Sequence, residues 1–186
     1  CRCRRQELQR GAAIPLTVED RFAIKDLLVR FAWALDTADA DALAGCFTPE
    51  GVMIEEVFEG DPGVWEGESG LRRMVGYYAA IPGFPGRQHY AANTLVEGGD
   101  GRAQAKSFAL VTECLREAPH NVRFCGYYDD QLVRMEGQWL FARRVLRLWD
   151  GEVLKRFPGY ESTATRRRQP EMTLVPKTPP RSSQTD

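Results

Sequence analysis

The sequence has 186 residues, 43% of them hydrophobic, which is enough to bury one substantial core but not a second large one. Its 25 Lys and Arg residues against 26 Asp and Glu give a formal net charge of -1. No net positive field therefore draws the chain to nucleic acid or to an anionic membrane, so the expected partner is a small molecule or another protein.

Several classes of site are not expected from the residues present. The longest apolar stretches are broken by charge before they reach the roughly 18 to 20 residues of a membrane-spanning helix. Five scattered cysteines without a Cys-x-x-Cys pair, and only two histidines, predict reduced thiols in a cytoplasm and no metal site. The sequence also lacks a glycine-rich phosphate loop and a Gly-x-Ser-x-Gly motif, so we expect no cofactor.

The N-terminal half is predicted to be mainly helical. Thr17 is a helix cap, and apolar residues then recur every three and four positions as far as Asp36. Two further helices and a brief strand follow before Pro82, where a run of Pro and Gly stops the pattern. The predicted leader covers residues 1–16. The three predicted helices cover residues 17–36, 39–47 and 68–80, and the predicted strand covers residues 52–54.

The second half is predicted to be a sheet. Four segments rich in Val, Phe, Tyr, Trp and Leu are separated by turn sequences, which indicates a four-stranded antiparallel meander with the strand near Val52 as a fifth member. Helices first and strands afterwards predict an α+β domain at residues 17–157, with the helices on one face of the sheet. Residues 158–186 are rich in Pro and Arg and are predicted to be a tail. The four segments are residues 88–97, 102–116, 121–135 and 138–149.

Three segments resemble the SnoaL-like family of the nuclear-transport-factor-2-like superfamily. They are AIKDLLVRFAWALDTADADALAGCFTPEGV, RQHYAANTLVE and GYYDDQLVRMEGQWLFARRV. The resemblance implies a cone-shaped, curved antiparallel sheet packed against three N-terminal helices, also called a cystatin-like roll. The family includes scytalone and bile-acid dehydratases, a dehydrochlorinase and polyketide cyclases, so the resemblance implies a small hydrophobic organic substrate and a homodimer or homotrimer.

The resemblance implies two catalytic residues. An Asp near the end of the first long helix and a His on the first long strand correspond here to Asp36 and His89. An anion at a helix C-terminus is unfavourable by about 0.3 to 1 kcal/mol, so Asp36 needs a positive or hydrogen-bonding partner. We predict that His89 accepts a substrate proton while Asp36 orients its ring.

Asn93 is a candidate substrate-binding residue. The run from His89 to Asn93 matches a His-Tyr-x-x-Asn run in the dehydrochlorinase. Because side chains alternate along a strand, the two residues are expected to share one face with Ala91 and Leu95, while Tyr90 points the other way. The Asn93 amide would then donate to a carbonyl or leaving-group oxygen.

Aromatic residues are the other candidates for substrate contact. Several dehydratases carry a Tyr where this chain has Phe31, so a mechanism that needs that hydroxyl would have to use Tyr128, Tyr127 or Tyr90 instead. Phe31 and Trp33 are large enough to form apolar walls at the mouth of the cone.

The sequence leaves three functions open. The first is a lyase of the dehydratase type that uses the Asp36 and His89 pair. The second is an isomerase or cyclase resembling ketosteroid isomerase, in which Glu55 on the short strand is the base. The third is the non-catalytic small subunit of a ring-hydroxylating dioxygenase, which has the same fold.

Overall fold

A computed structural model of the chain describes residues 14–57, 62–113 and 121–149. The predicted tail at 158–186 and the leader up to residue 13 lie outside the described residues. Within the described ranges no helix is long and apolar enough to cross a membrane. The elements are α1 (Val18–Asp36), α2 (Ala40–Ala44), β1 (Phe47–Glu56), β2 (Gly63–Glu66), α3 (Gly67–Ala79), β3 (Arg87–Gly99), β4 (Arg102–Glu113), β5 (Asn121–Met135) and β6 (Gln138–Leu148).

The six strands form one curved, unclosed sheet in the order β2-β1-β6-β5-β4-β3. Strands β3 to β6 are the predicted antiparallel meander, and β1 joins it as expected. The β1 strand runs parallel to β6, whereas the four-residue β2, which was not predicted, pairs with β1 in the antiparallel sense. With the helices preceding the meander, the α+β cone is confirmed.

Helix α1 begins at a capping box. The Asp20 backbone N–H donates to Thr17 Oγ1, and the Thr17 backbone N–H donates to Asp20 Oδ2, both at 3.1 Å. These bonds satisfy donors that a helix N-terminus otherwise leaves unpaired. The apolar face of the helix then packs on β3 and β6, which brings its C-terminal residue Asp36 beside β3. The buried residues of α1 are Asp20, Ile24, Leu27, Leu28, Phe31, Ala34 and Leu35.

Two tight turns set the register of the meander. Asp100 and Gly101 between β3 and β4 have φ of 51° and 73°, and Glu136 and Gly137 between β5 and β6 have φ of 50° and 82°. Two successive positive φ values suit the right-handed twist of a hairpin. The Ile14 backbone N–H also donates to Asp100 Oδ1 at 2.8 Å, so the last residues of the predicted leader are strapped to the first turn.

Candidate active site

Asp36 and His89 are in direct contact. The His89 backbone N–H donates to Asp36 Oδ2 at 2.9 Å, and His89 Nδ1 lies 2.5 Å from Asp36 Oδ1. The two side chains are 17% and 11% exposed, so little water competes for these bonds. The end of α1 and the start of β3 therefore bring together the two residues that the sequence analysis paired.

The contact decides which ring nitrogen of His89 is free. An ionised carboxylate only accepts hydrogen bonds, so we assign the proton of the neutral ring to Nδ1, where it donates to Asp36. The lone pair then lies on Nε2, which no protein group in the described residues engages. The pair is arranged as a base held in one tautomer by a carboxylate.

A groove of about 560 Å³ runs between α1 and β3 and reaches both members of the pair. This volume suits a small organic molecule. Its walls are largely apolar, and Trp33 is 68% exposed on the helix side, as a residue free to contact a ligand would be. The lining residues are Leu28, Val29, Ala32, Trp33, Asp36, Thr37 and residues 86–92.

Phe84 packs against the imidazole from the loop that precedes β3. Its ring centroid lies 5.9 Å from that of His89 and 4.9 Å from that of Tyr78, against which it stacks. This aromatic contact restricts the movement of the His89 ring. The ring is thus held by a carboxylate and by an aromatic neighbour.

Glu55 forms a second polar centre inside the cone. The Tyr78 hydroxyl donates to Glu55 Oε1 at 2.6 Å and Trp65 Nε1 donates to Oε2 at 2.8 Å. Burial raises the pKa of the Glu55 carboxyl, while these two hydrogen bonds and the nearby His89 act to lower it. Glu55 is therefore a carboxyl group poised closer to neutral pH than an exposed one.

Phe31 and Tyr128 lie in the core rather than along the groove. Phe31 makes an edge contact with Tyr128 at 6.4 Å and others with Phe47 and Phe141 at 5.9 Å. Neither residue lines the groove. Contact of Phe31 or Tyr128 with a substrate would require the substrate to enter the cone, and it stays a prediction.

The prediction that Asn93 shares a face with His89 is wrong. The register between β3 and β4 shifts between Ala92 and Leu95, and Asn93 has a positive φ of 51°. This bulge reverses the alternation, so Asn93 and Leu95 are exposed while Ala91 still faces inward with His89. Asn93 instead borders a separate depression beside Lys25 and does not line the groove.

The partners of Glu55, which are Tyr78 and Trp65, were not predicted from the sequence. Tyr78 continues the buried spacing of Leu71, Met74 and Val75 along α3, so the helical period could have placed its ring inside the cone. The period does not reveal that its hydroxyl meets Glu55, because α3 and β1 come together only in the tertiary structure. Among the described residues, no cluster of three or more His, Cys, Asp or Glu side chains could hold a metal ion.

A family model described as a SnoaL-like domain matches residues 16–145. The chain belongs to the SnoaL-like family. The match spans α1 to β6 and therefore includes both Asp36 and His89. None of the curated proteins compared with this SnoaL-like chain matches it significantly.

Solved structures with the same fold resemble this SnoaL-like protein. A variant of Rv3472, a protein of unknown function from Mycobacterium tuberculosis, is 26% identical, with 77% of this chain and 85% of that chain covered and a TM-score of 0.64. An NTF2-like protein with a cystatin-like fold from Novosphingobium aromaticivorans is 21% identical, with 75% and 88% covered and a TM-score of 0.63. A provisional scytalone dehydratase from the same organism is 21% identical, with 70% and 85% covered and a TM-score of 0.56.

Proposed function

We propose that this SnoaL-like protein is a cofactor-independent lyase of the dehydratase type, acting on a small hydrophobic cyclic compound of polyketide, terpenoid or steroid-like character. The observation that carries the proposal is the contact between His89 Nδ1 and Asp36 Oδ1 at 2.5 Å, beside an apolar groove. A neutral imidazole with its lone pair on Nε2 and a carboxylate behind it is suited to remove a proton from carbon.

In the proposed elimination, His89 is the only residue that carries a proton: it first accepts the proton and then returns it. Nε2 takes the proton from a carbon next to a carbonyl, and the electron pair of that C–H bond forms the new double bond as the adjacent C–O bond breaks. The departing hydroxyl takes the proton back from the imidazolium and leaves as water. Phe31 replaces the tyrosine that several relatives carry, so His89 both removes and returns the proton, which requires the two groups to leave from the same side of the ring.

Asp36 has two roles in this scheme. It fixes the Nδ1–H tautomer before the reaction, and its negative charge stabilises the imidazolium that forms during it. Because Asp36 also accepts the His89 backbone N–H, the carboxylate stays in place when the ring changes charge. Asp36 is therefore a positioning residue that acts through His89.

A second candidate function is isomerisation with Glu55 as the base, in the manner of ketosteroid isomerase. The observation in its favour is that Glu55 is buried and its pKa is raised, as a carboxylate base that works near neutral pH requires. Against it, both Glu55 oxygens already accept hydrogen bonds from Tyr78 and Trp65, whereas within the described residues no protein group engages His89 Nε2. We therefore rank isomerisation second.

The two functions predict opposite effects of two substitutions. For the lyase, we expect His89→Gln to reduce kcat/KM by about a thousandfold and Asp36→Asn by about a hundredfold or more, while Glu55→Gln retains most activity. The measurement is the ultraviolet absorbance of the conjugated product across a panel of cyclic β-hydroxy ketones.

The matched control for these substitutions is Asp41→Asn. The Asp41 carboxylate is exposed, pairs with Arg72 and lies outside the groove, so its loss should leave kcat/KM within about twofold of the unmodified protein. Activity that survives in His89→Gln and is lost in Glu55→Gln would reject the lyase and favour the isomerase. Nitrogen NMR offers a check that needs no substrate, since the neutral His89 ring should carry its proton on Nδ1.

A further inference from the structure

Arg87 lies beside His89 on the inward side of β3 and lines the same groove. Residues two apart on a strand point to the same face, with their Cα atoms about 7 Å apart. Phe84 links the two side chains, since the Arg87 Cζ atom lies 5.0 Å from its ring centroid and the His89 ring lies 5.9 Å from it. The guanidinium is thus within the length of a small ring compound from the proposed base.

The Arg87 guanidinium lacks a carboxylate partner within the described residues. Its Nε atom is buried, and among the described residues it has no hydrogen-bond partner and no Asp or Glu oxygen lies within 4.0 Å of the guanidinium nitrogens. A half-buried cation in this position is costly unless an anion or water satisfies its donors. Burial accordingly lowers the pKa of Arg87, and the nearby Glu113 opposes that effect.

Glu113 is the obvious partner for Arg87 and is already occupied. The two residues are directly opposite in the β3 and β4 register, yet Glu113 Oε2 accepts Arg123 Nε at 3.1 Å. Among the described residues, Arg87 and Arg123 thus lie near a single carboxylate that only Arg123 contacts, which leaves one excess positive charge at this end of the groove. Asp36, the acidic residue that lines the groove, is engaged by His89 and cannot neutralise it.

We propose that Arg87 determines substrate specificity by binding a carboxylate, so that the groove takes a monoanionic, hydrophobic ring acid. A single excess positive charge matches a monoanion better than a phosphate dianion, and a planar guanidinium pairs with a carboxylate through two parallel hydrogen bonds. With the carboxylate on Arg87, the ring lies in the groove towards His89 and within reach of Trp33. This inference rests on the proposed function, since it names the substrate class of the same groove.

The test uses two probes that differ only in charge, naphthoate and naphthamide, with binding to the full chain measured by titration calorimetry. We expect naphthoate to bind about tenfold more tightly or better, in line with a charge-assisted hydrogen bond. Arg87→Gln should remove this preference and leave naphthamide affinity within about twofold. Arg143→Gln, a matched loss of charge at a residue outside the groove, should keep it.

Three results would overturn the inference: equal affinity of the two probes for the unmodified protein, no measurable binding of either one, or an Arg87→Gln variant that loses both probes equally. Retained naphthamide affinity also shows that the variant is folded. His89→Gln should keep the preference for naphthoate even though it loses turnover. A failed charge preference therefore rejects the ring acid, whereas retained turnover in His89→Gln rejects the proposed function.

Discussion

Asp130 and Arg144 are a fully buried pair of an acidic and a basic side chain at the centre of the sheet. Arg144 Nη1 lies 3.3 Å from Asp130 Oδ2, and both side chains are 0% exposed. The guanidinium also stacks on Tyr128, with Cζ 3.6 Å from the ring centroid. Burial raises the pKa of Asp130 to about 7, although Arg144 acts to lower it.

The raised pKa makes stability depend on pH. In the unfolded chain Asp130 ionises near its ordinary pKa of about 3.9, whereas the folded chain keeps the proton until about pH 7, so the folded state binds more protons in between. The free energy of unfolding therefore falls as the pH rises through this window. We expect a loss of about 2 kcal/mol between pH values of about 5 and 8, measured by urea unfolding.

Asp130→Asn should flatten this pH dependence, because an amide stays neutral throughout. Asp129→Asn is the matched control, since Asp129 is the next residue on β5, is partly exposed and pairs with Arg147. It should leave most of the decline in stability in place, because Asp129 raises the pKa of Asp130 less than burial does. An unchanged decline in Asp130→Asn would show that another group carries it.

At the scale of elements, the capping box gives a direct test of how α1 is anchored. Thr17→Ala removes the hydroxyl that accepts the Asp20 backbone N–H, and losing such a cap costs about 1 kcal/mol. We expect the midpoint of urea unfolding to fall accordingly. Thr17→Ser keeps an equivalent hydroxyl and should retain most of the stability. Equal losses in both variants would mean that packing of the threonine methyl, rather than the cap, matters.

Local sequence patterns predicted most of the helices and strands but not all of them. The helices and the four meander strands follow from local periodicity and turn residues, so their positions were predicted within a few residues. The four-residue β2 was missed because so short a strand has no period of its own. The bulge at Asn93 was also missed, since alternation extrapolated from His89 assumes that no residue is inserted.

The contacts of the candidate site and the core likewise include some that could be predicted from the sequence and some that could not. Asp36 and His89 could be paired because the family resemblance relates two segments that the sequence itself does not connect. By contrast, no local pattern pairs Arg144 with Asp130, which lies directly opposite it in the β5 and β6 register. Cross-strand neighbours of this kind depend on a register that a further bulge, between Gln131 and Leu132, also alters.

At the scale of the whole molecule, an apolar area on the outer face of the sheet favours self-association. Phe108 is 44% exposed and lies opposite Tyr127 in the β4 and β5 register. Trp149 makes an edge contact with Phe108 at 4.9 Å. Exposed aromatic clusters of this kind are typical of interfaces between copies of a chain.

We therefore expect a homodimer or homotrimer in solution, with a mass to be measured by light scattering. Phe108→Lys should shift the protein towards monomer, because the substitution places a charge within the apolar area. Val64→Lys, a change at an exposed residue of β2 at the opposite edge of the sheet, should not. A monomeric unmodified protein would contradict this expectation.

The parallel pairing of β1 with β6 determines when, during folding, the sheet can be completed. Phe47 and Phe141 are register partners although almost the whole meander lies between them in the chain. Closing so long a loop has an entropic cost that local hairpins avoid, so β1 should dock late, after the meander has formed. During synthesis, the ribosome releases β6 last among the strands of the described residues, so Glu55 on β1 gains its enclosed surroundings only after β6 has emerged.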